Sequence, residues 1–452
     1  MKHYIDYSNE VYKDRIFISY NNHQITFSEF HYNVSIKSRA ITSLNLSEKS
    51  TIGVLLSNPI DILEVYFSCI QLNKTPLIFP TDITDYELQE IVNSHKIDFI
   101  ISEWTRKKQI STINNCNFFY IQELVSSYGG CASIEFSSDI KDKSNIQSLH
   151  LTSGSTGLPK LVSLSFNNFI SSALQWDNQL SFLNSDKYIQ CLPLNHIAGL
   201  SIIMRSQIKG FETILMNKFN ANKINSEIDH GATLISLIPS MLKRLLNTRS
   251  GKSFPRHFRG AIIGGDSCSK KLIQEAISYG MPIYKTYGMT ETCSGIAGFW
   301  VNDNLENLES VGKSFNDTKI TIFDKRLIIK GPTVAPIING KKNKNQLFET
   351  SDIGILKKGF LFIKGRSDDI VISAGENISL SHIKTILLNH PNVIDVYLDY
   401  EKDEHSDGEI NAYIEVNDSL ISNNDIFSYC REFLSEKSCP KEIQIVEKIN
   451  HD

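Results

Sequence analysis

The segment LTSGSTGLPK, residues 151–160, concentrates hydroxyls and glycines just ahead of a lysine. It lacks the apolar periodicity of a buried helix or strand, so we interpret its residues by what they can bind. Gly154 and Gly157 allow a tight turn and a close approach of the backbone to a ligand. Donors to phosphate oxygens are the backbone N–H groups and the side chains of Thr152, Ser153, Ser155, Thr156 and Lys160. The segment therefore predicts a phosphate-binding loop.

This loop is not a P-loop, because the pattern GxxxxGK[ST] is absent from it. Taken alone, its composition is also compatible with a flexible Ser/Gly-rich surface loop. The segments that follow it along the chain distinguish the two interpretations. They are LPLNHIAGLS (192–201), IIGGDS (262–267), YGMTET (287–292), TSD (350–352) and GRSDDIVISAGENI (365–378).

In this order and at this spacing, the segments resemble the signatures of the acyl-adenylate-forming superfamily, the AMP-forming ligases that include acyl- and aryl-CoA synthetases. The resemblance implies that a carboxylate attacks the α-phosphate of ATP, giving an acyl-AMP and pyrophosphate, and that the thiol of coenzyme A then displaces AMP. Such chemistry needs neutralisation of phosphate charge more than a protein nucleophile. We therefore expect the chain to bind ATP, Mg²⁺, coenzyme A and a small-molecule carboxylic acid.

The resemblance also implies the residues of the nucleotide site. Thr290 would contact the α-phosphate, and Glu291 would hold Mg²⁺, a hard cation that prefers carboxylate and phosphate oxygens. Tyr287 would offer an aromatic face beside the adenine. Further residues of this site are Gly264, Gly265, Asp266 and Gly288.

The TSD segment implies a ribose contact. Asp352 would accept both ribose hydroxyls, which suits an ionised carboxylate, and Arg366 would contact the ribose or a phosphate. The family usually has TGD here, so Ser351 affects the expected turn rather than the carboxylate. The alternative interpretation of Asp352 and Arg366 is a salt bridge on the surface.

Two residues of one apolar segment are candidates for binding the acid. A lone histidine there is usually a core residue, but the resemblance implies that His196 lies against the carboxylate substrate and the thiol path. Within the superfamily the chain is most similar to the o-succinylbenzoate-CoA ligases, whose acid has a second carboxylate that must be paired or desolvated at a cost. Arg205 is the candidate for that carboxylate, since a guanidinium binds it bidentately. The alternative is an arginine that extends from a helix to solvent.

One residue of the family pattern has no match in this sequence. The superfamily carries a Gly-Lys pair in a C-terminal loop, and that lysine neutralises the carboxylate and the α-phosphate. The chain reads CPKEIQIVEKINHD there, and neither Lys441 nor Lys448 matches. Loss of one preorganised cation typically slows such a step by about a hundredfold to a thousandfold.

Several interpretations therefore remain open. The C-terminus is clipped, or adenylation is slow or uses another cation, or the protein binds a nucleotide or acyl-AMP with little ligase activity. A further alternative is an aryl or acyl ligase of a specialised pathway that loads another acid onto coenzyme A or a carrier protein. We favour the active ligase that uses o-succinylbenzoate and coenzyme A.

The segments between these motifs predict the elements that position them. TIGVLL (51–56) precedes the helical DILEVYFSCIQL (61–72), and ATLISLI (232–238) precedes SMLKRLL (240–246), which predicts doubly wound α/β layers. Short strands between about 310 and 365 predict a small β region. We expect a large domain over residues 1–367 and a small mobile α+β domain over 368–452. By resemblance, Asp368 is the hinge, and Gly375 lines the pantetheine channel.

Composition excludes several other classes of protein. The 452 residues are 41% hydrophobic and 21% charged with a net charge of −4, and they contain no basic block, so we expect no nucleic-acid partner. No apolar run approaches the roughly 18 residues of a membrane span, and the N-terminus lacks the pattern of a targeting signal. We expect a cytoplasmic protein whose eight cysteines, without metal spacing, are free thiols. A homodimer is compatible with the resemblance, since dimers are common among relatives.

Overall fold

The computed structural model describes residues 3–47, 50–128, 142–152, 159–373, 376–401, 409–417, 421–434 and 438–449. Residues discussed above that lie outside this part of the chain are Ser153, Gly154, Ser155, Thr156, Gly157, Gly375 and Cys131. The helices are α1 (Tyr4–Tyr12), α2 (Phe27–Thr42), α3 (Pro59–Gln71), α4 (Asp85–His95), α5 (Lys107–Ile110), α6 (Ile121–Tyr128), α7 (Phe166–Leu180), α8 (Ile197–Lys209), α9 (Ala221–Asp229), α10 (Pro239–Arg249), α11 (Lys270–Ser278), α12 (Leu380–Leu388) and α13 (Asn423–Phe433).

The strands alternate with these helices over the first two thirds of the chain and then follow one another. They are β1 (Ile16–Tyr20), β2 (His23–Thr26), β3 (Thr51–Leu55), β4 (Thr75–Ile78), β5 (Phe99–Ser102), β6 (Asn117–Tyr120), β7 (Ile146–Thr152), β8 (Lys160–Ser165), β9 (Lys187–Gln190), β10 (Glu212–Leu215), β11 (Leu234–Leu237), β12 (Gly260–Ile263), β13 (Ile283–Met289), β14 (Ser294–Trp300), β15 (Lys313–Ser314), β16 (Lys319–Phe323), β17 (Arg326–Lys330), β18 (Ile337–Ile338), β19 (Lys341–Lys342), β20 (Leu347–Lys357), β21 (Phe360–Arg366), β22 (Ile370–Ser373), β23 (Glu376–Ser379), β24 (Val393–Glu401), β25 (Glu409–Val416) and β26 (Glu442–Val446).

Two large sheets form the body of the molecule. The nine-stranded sheet has the order β15-β14-β13-β12-β11-β9-β10-β1-β2, and its strands from β13 to β1 are parallel to one another. The eight-stranded sheet has the order β19-β18-β8-β7-β4-β3-β5-β6, with parallel strands from β7 to β6. Both sheets end in antiparallel pairs, among them β13 with β14 and β7 with β8.

One apolar core joins the two sheets. Its buried side chains include Phe17 of β1, Val54 of β3 and Val162 of β8. The same cluster contains residues of α2, α3, α7 and α8. These helices therefore pack between the sheets, as strand–helix alternation predicts.

Local signals set the ends of the two helices that carry the acid-site residues. Ser165 and Asn168 form a reciprocal capping box at the start of α7. Helix α8 ends at Gly210, whose φ of 76° lies in the left-handed region that glycine adopts without strain.

Smaller sheets follow the large body. The antiparallel sheet β16-β17-β20-β21 pairs Asp352 with Arg366 across β20 and β21. The C-terminal unit contains the pair β22-β23, the sheet β24-β25-β26, α12 and α13, and it has its own apolar core. The predicted fold class, a large α/β domain followed by a smaller C-terminal domain, is confirmed.

Ion pairs and hydrogen bonds hold the C-terminal unit against α10 and the β12–α11 loop. Arg244 donates to both carboxylate oxygens of Glu415, with Nε 3.1 Å and Nη2 2.6 Å from Oε1. Lys243 donates to the Pro391 carbonyl at 3.0 Å. These contacts fix one orientation of the small unit over the carboxyl ends of the central strands.

Two further expectations can be compared with the described residues. None of the helices described here is long and apolar enough to cross a membrane. The seven cysteines in the described part of the chain are free thiols, as predicted.

Candidate active site

A cavity of about 790 Å³ opens where the parallel strands β9, β11, β12 and β13 end. Its lining includes residues from the segments that the sequence analysis selected, namely His196, Arg205, Gly264, Gly265 and Gly288. Ligands of open α/β sheets bind at the carboxyl ends of the strands. The topology therefore brings motifs separated by almost a hundred residues to one cavity.

The turn between β13 and β14 presents Thr290 and Glu291. Residues Thr290–Thr292 form a single 3₁₀ turn, and the Thr292 hydroxyl donates to the Met289 carbonyl at 3.0 Å. A Cβ on Gly288 would lie 2.1 Å from the Ser294 carbonyl oxygen, so this hairpin closes only with glycine there. The glycine of YGMTET is thus required by the backbone contact.

Three polar side chains lie next to the predicted phosphate loop, namely Glu291, Lys160 and Thr152. Thr152 and Lys160 pair across β7 and β8, at the two ends of the loop. The Thr152 hydroxyl is buried and has no hydrogen-bond partner among the described residues. Burial raises the pKa of Glu291, and the positive charges of Arg366 and Lys160 oppose this rise. A carboxylate, an unpartnered hydroxyl and a lysine fit a Mg²⁺–triphosphate group.

Asp352, the predicted ribose contact, is buried beside Tyr287, the predicted adenine contact. The Tyr287 hydroxyl donates to the Asp352 carboxylate, and Arg366 Nη1 lies 3.6 Å from Asp352 Oδ1. Burial raises the pKa of Asp352, and the hydrogen bond from Tyr287 opposes this. Because Asp352 is only 6% exposed, the alternative of a surface salt bridge does not apply to it.

Arg366 also binds the predicted hinge residue. Its Nε and Nη2 donate to the two Asp368 oxygens at 2.8 and 2.7 Å. Hydrogen bonding by this guanidinium lowers the pKa of Asp368 to about 2. The ionised pair connects the end of β21 to the residue at which we place the hinge.

Arg205 lines the cavity and is 3% exposed, so the alternative of an arginine that extends to solvent is wrong. Its Nη2 donates to Ser201 Oγ at 3.1 Å and to Ser294 Oγ at 2.7 Å, and its Cζ lies 4.4 Å from the centre of the Trp176 ring. Burial lowers the pKa of Arg205 to about 10. Nε has no partner, and no carboxylate of the described residues pairs with this guanidinium.

His196 stands at the N-cap of the same helix, nine residues before Arg205. This separation corresponds to about 13 Å of helical rise. Burial lowers the pKa of His196 below its ordinary value, which favours the neutral imidazole. Helix α8 therefore places a histidine and a buried cation at separate points of one cavity wall.

Comparison with known proteins shows the family to which the chain belongs. The model of the AMP-binding enzyme family matches residues 5–336, which is more than half of the chain. The chain belongs to the AMP-binding enzyme family. A 2-succinylbenzoate–CoA ligase of Bacillus mycoides is 26% identical over 96% of this chain and 92% of the relative.

Two solved structures of an o-succinylbenzoate CoA synthetase superpose on this AMP-binding enzyme. The o-succinylbenzoate CoA synthetase of Bacillus subtilis in complex with the acyl-adenylate intermediate OSB-AMP is 25% identical, with a TM-score of 0.87 over 100% of this chain and 95% of that one. The same synthetase in complex with ATP and magnesium ion is 24% identical, with a TM-score of 0.87 over 100% and 97% of the two chains.

Several predicted site residues of this AMP-binding enzyme do not line the cavity; besides Asp266, these are Thr152, Lys160, Tyr287, Thr290, Glu291, Asp352, Arg366 and Asp368. Asp266 is exposed and pairs with Lys384 of α12 at 2.6 Å, so it contacts the C-terminal unit. Gly264 and Gly265 do line the cavity, and a Cβ on Gly264 would lie 2.8 Å from Thr286 Cγ2. Asp266 thus bridges the nucleotide-site segment and the small domain.

Other lining residues were not selected from the sequence. Trp176 and Ser294 contact Arg205, and Glu447 and Lys448 reach the same cavity from the C-terminal unit. A tryptophan in an amphipathic helix resembles any core residue, and Ser294 follows a motif without belonging to it. A single sequence therefore contains no pattern that would mark Trp176 or Ser294 as a residue of this site.

Tyr287→Phe is expected to weaken ATP binding about fivefold to tenfold, because the Asp352 carboxylate loses the neighbour that orients it. Isothermal titration with ATP measures the effect. The matched control is Tyr284→Phe, on the same strand, whose hydroxyl donates to Gln179 Oε1 at 3.1 Å rather than to Asp352. Equal affinities of both variants and the unmodified chain would show that Tyr287 does not position Asp352.

Proposed function

We propose that this AMP-binding enzyme is an ATP-dependent acid–thiol ligase that activates o-succinylbenzoate as its acyl-AMP and transfers the acyl group to coenzyme A. The observation that carries the proposal is the buried Arg205 guanidinium, which lines the cavity and has no carboxylate partner among the described residues. A buried charge is costly unless it is paired. The second carboxylate of a dicarboxylic acid supplies that pair, whereas a monocarboxylic acid leaves the charge uncompensated.

In the first half-reaction, a carboxylate oxygen of the acid bonds to the α-phosphorus of ATP, and the bond to the pyrophosphate leaving group breaks. Lys160, Thr152 and Thr290 donate to the phosphates, and Asp352 accepts the ribose hydroxyls. Glu291 would hold Mg²⁺, which would supply neutralisation of phosphate charge. Because burial favours the neutral imidazole of His196, this side chain can orient the reacting carboxylate without forming a competing ion pair.

In the second half-reaction, the thiol of coenzyme A attacks the acyl carbon, and AMP leaves as the bond between the acyl carbon and the phosphate oxygen breaks. The Asp368 hinge would turn the small domain so that Gly375 lines the thiol path. Asp368 is held by Arg366 in this orientation, so the turn must exchange that ion pair for other contacts.

The direct test is pyrophosphate release by the 452-residue chain with Mg-ATP and o-succinylbenzoate, with and without coenzyme A. Acid-dependent release supports the proposal. If ATP raises the unfolding temperature but o-succinylbenzoate causes no release, either this acid is not the substrate or the protein binds the nucleotide without carrying out the first half-reaction. Premade o-succinylbenzoyl-AMP with coenzyme A then separates a wrong acid from an inactive first half-reaction.

Lys448 lines the cavity, which makes it the candidate for the substitute cation. Lys448→Met is expected to slow acid-dependent pyrophosphate release about tenfold, because a positive charge near the phosphates is lost. The control is Lys441→Met, since Lys441 is exposed, pairs with Glu409 and does not line the cavity. An unchanged rate in Lys448→Met would exclude Lys448 from adenylation.

A further inference from the structure

The backbone immediately after the Glu291 turn is strained. Cys293 and Ser294 both have positive φ values, 52° and 97°. Glycine is the residue that adopts the region near 97° without steric cost, so a serine there is unusual. Such a conformation persists only where the surroundings enforce it.

Neighbouring hydroxyls enforce this conformation. Thr292 Oγ1 lies 3.0 Å from the Ser294 carbonyl oxygen, and Ser172 Oγ of α7 donates to the Cys293 carbonyl at 2.8 Å. These contacts fix the direction in which the Ser294 side chain leaves the backbone. A glycine at this position would relieve the strain but would supply no hydroxyl.

The Ser294 hydroxyl contacts the acid end of the cavity. It accepts from Arg205 Nη2 at 2.7 Å, and Ser201 Oγ lies 3.4 Å away. The Arg205 guanidinium lies over the Trp176 ring, so stacking and two hydroxyls together hold it. The hydrogen bond to Ser294 is the shorter of the two that Arg205 Nη2 forms with these hydroxyls.

Two donors at this end of the cavity have no partner. Arg205 Nε and Trp176 Nε1 are both buried and form no hydrogen bond within the described residues, and both side chains line the cavity. Unpartnered buried N–H groups are rare in native proteins. Arg205 Nε belongs to the guanidinium itself, and each of the two N–H groups can donate to a carboxylate oxygen of a bound acid.

We propose that Ser294 is a positioning residue that sets substrate specificity: its strained backbone places the hydroxyl that orients Arg205, and thereby selects acids with a second carboxylate. This inference rests on the proposed function and adds a residue to it. Ser294 begins β14 two residues after the turn that carries Glu291, so one short segment connects the proposed phosphate site with the proposed acid site.

Ser294→Gly and Ser294→Ala separate the hydroxyl from the strain. Both variants lose the hydrogen bond to Arg205, but only glycine relieves the positive φ. The substrates are o-succinylbenzoate and the two mono-acids that each lack one of its carboxylates, 4-oxo-4-phenylbutanoate and 2-propanoylbenzoate. We expect both variants to show an acid KM about tenfold higher with the ATP KM unchanged, and a preference for the dicarboxylate about tenfold lower.

Unfolding temperature is the second readout. Ser294→Gly is expected to unfold about 2 °C or more above Ser294→Ala, because only alanine keeps the strain. The control is Ser250→Gly at the end of α10, an exposed serine with φ of 51° that does not line the cavity. It should be as stable as the unmodified chain or more so and keep the full dicarboxylate preference.

The outcomes distinguish this inference from the proposed function. If the unmodified chain does not convert o-succinylbenzoate, the proposed function fails. If it does, and both Ser294 variants keep the acid KM and the preference, only the role of Ser294 fails. Equal rises in the KM of acid and ATP would indicate a merely structural role and would also overturn the inference.

Discussion

Arg205→Met is expected to lower kcat/KM for o-succinylbenzoate by about a hundredfold to a thousandfold. The substitution removes the cation that pairs with the second carboxylate, and truncation of one partner of a buried charge pair typically costs about 2–5 kcal/mol. Methionine fills similar apolar volume beside Trp176, so the cavity keeps its shape. Steady-state kinetics with o-succinylbenzoate and its two mono-acids measures the change.

The unfolding temperature of Arg205→Met separates loss of binding from loss of structure. Arg205 is buried without an ion-pair partner in the described residues, so an apolar replacement should leave stability unchanged or raise it. Arg205→Lys keeps a charge but not the planar fork and should retain part of the activity. A loss of equal size for dicarboxylate and mono-acid would contradict the assignment of Arg205 to the second carboxylate.

Glu291→Gln is expected to slow pyrophosphate release by about a hundredfold to a thousandfold, because the side chain predicted to hold Mg²⁺ loses its charge. The amide has nearly the same shape, and burial already disfavours the ionised carboxyl, so folding should be preserved. The effect is measured as the rate of pyrophosphate release at increasing Mg²⁺ concentrations. The variant should need a higher Mg²⁺ concentration than the unmodified chain to reach its half-maximal rate.

The matched control for that experiment is Glu349→Gln. Glu349 is exposed, and its Oε1 lies 3.5 Å from Arg326 in the small antiparallel sheet, away from the cavity lining. Its rate and Mg²⁺ dependence should equal those of the unmodified chain. If Glu291→Gln also behaves in this way, Glu291 has no part in binding the metal.

Much of the fold was predictable because its signals are local. Alternation of apolar strands with amphipathic helices predicted the α/β layers, and the helix predicted at SMLKRLL is α10 (Pro239–Arg249), which begins with proline. The need for glycine within the motifs was also predictable, because it too is a local signal. Gly288 is required by its contact with the Ser294 carbonyl, a constraint that any sequence forming this hairpin must satisfy.

Side-chain direction was less predictable than position. Asp266 follows IIGG at the end of a central strand, but it turns to Lys384 of the C-terminal unit. Asp352 and Arg366 were expected together, and the register of β20 with β21 makes them cross-strand partners. Asp266 differs from this pair because its partner, Lys384, belongs to the C-terminal unit and lies more than a hundred residues away in the chain.

The sequence by itself determined the order of the motifs, the class of chemistry and the residue types at the nucleotide site, because each depends on short segments and their spacing. Only the tertiary structure decided that Arg205 is buried and lacks a carboxylate partner within the described residues, and that Trp176 and Ser294 hold it. These properties arise where α7, α8 and β14 pack together. Burial and pairing depend on neighbours far apart in the chain, and no local pattern specifies them.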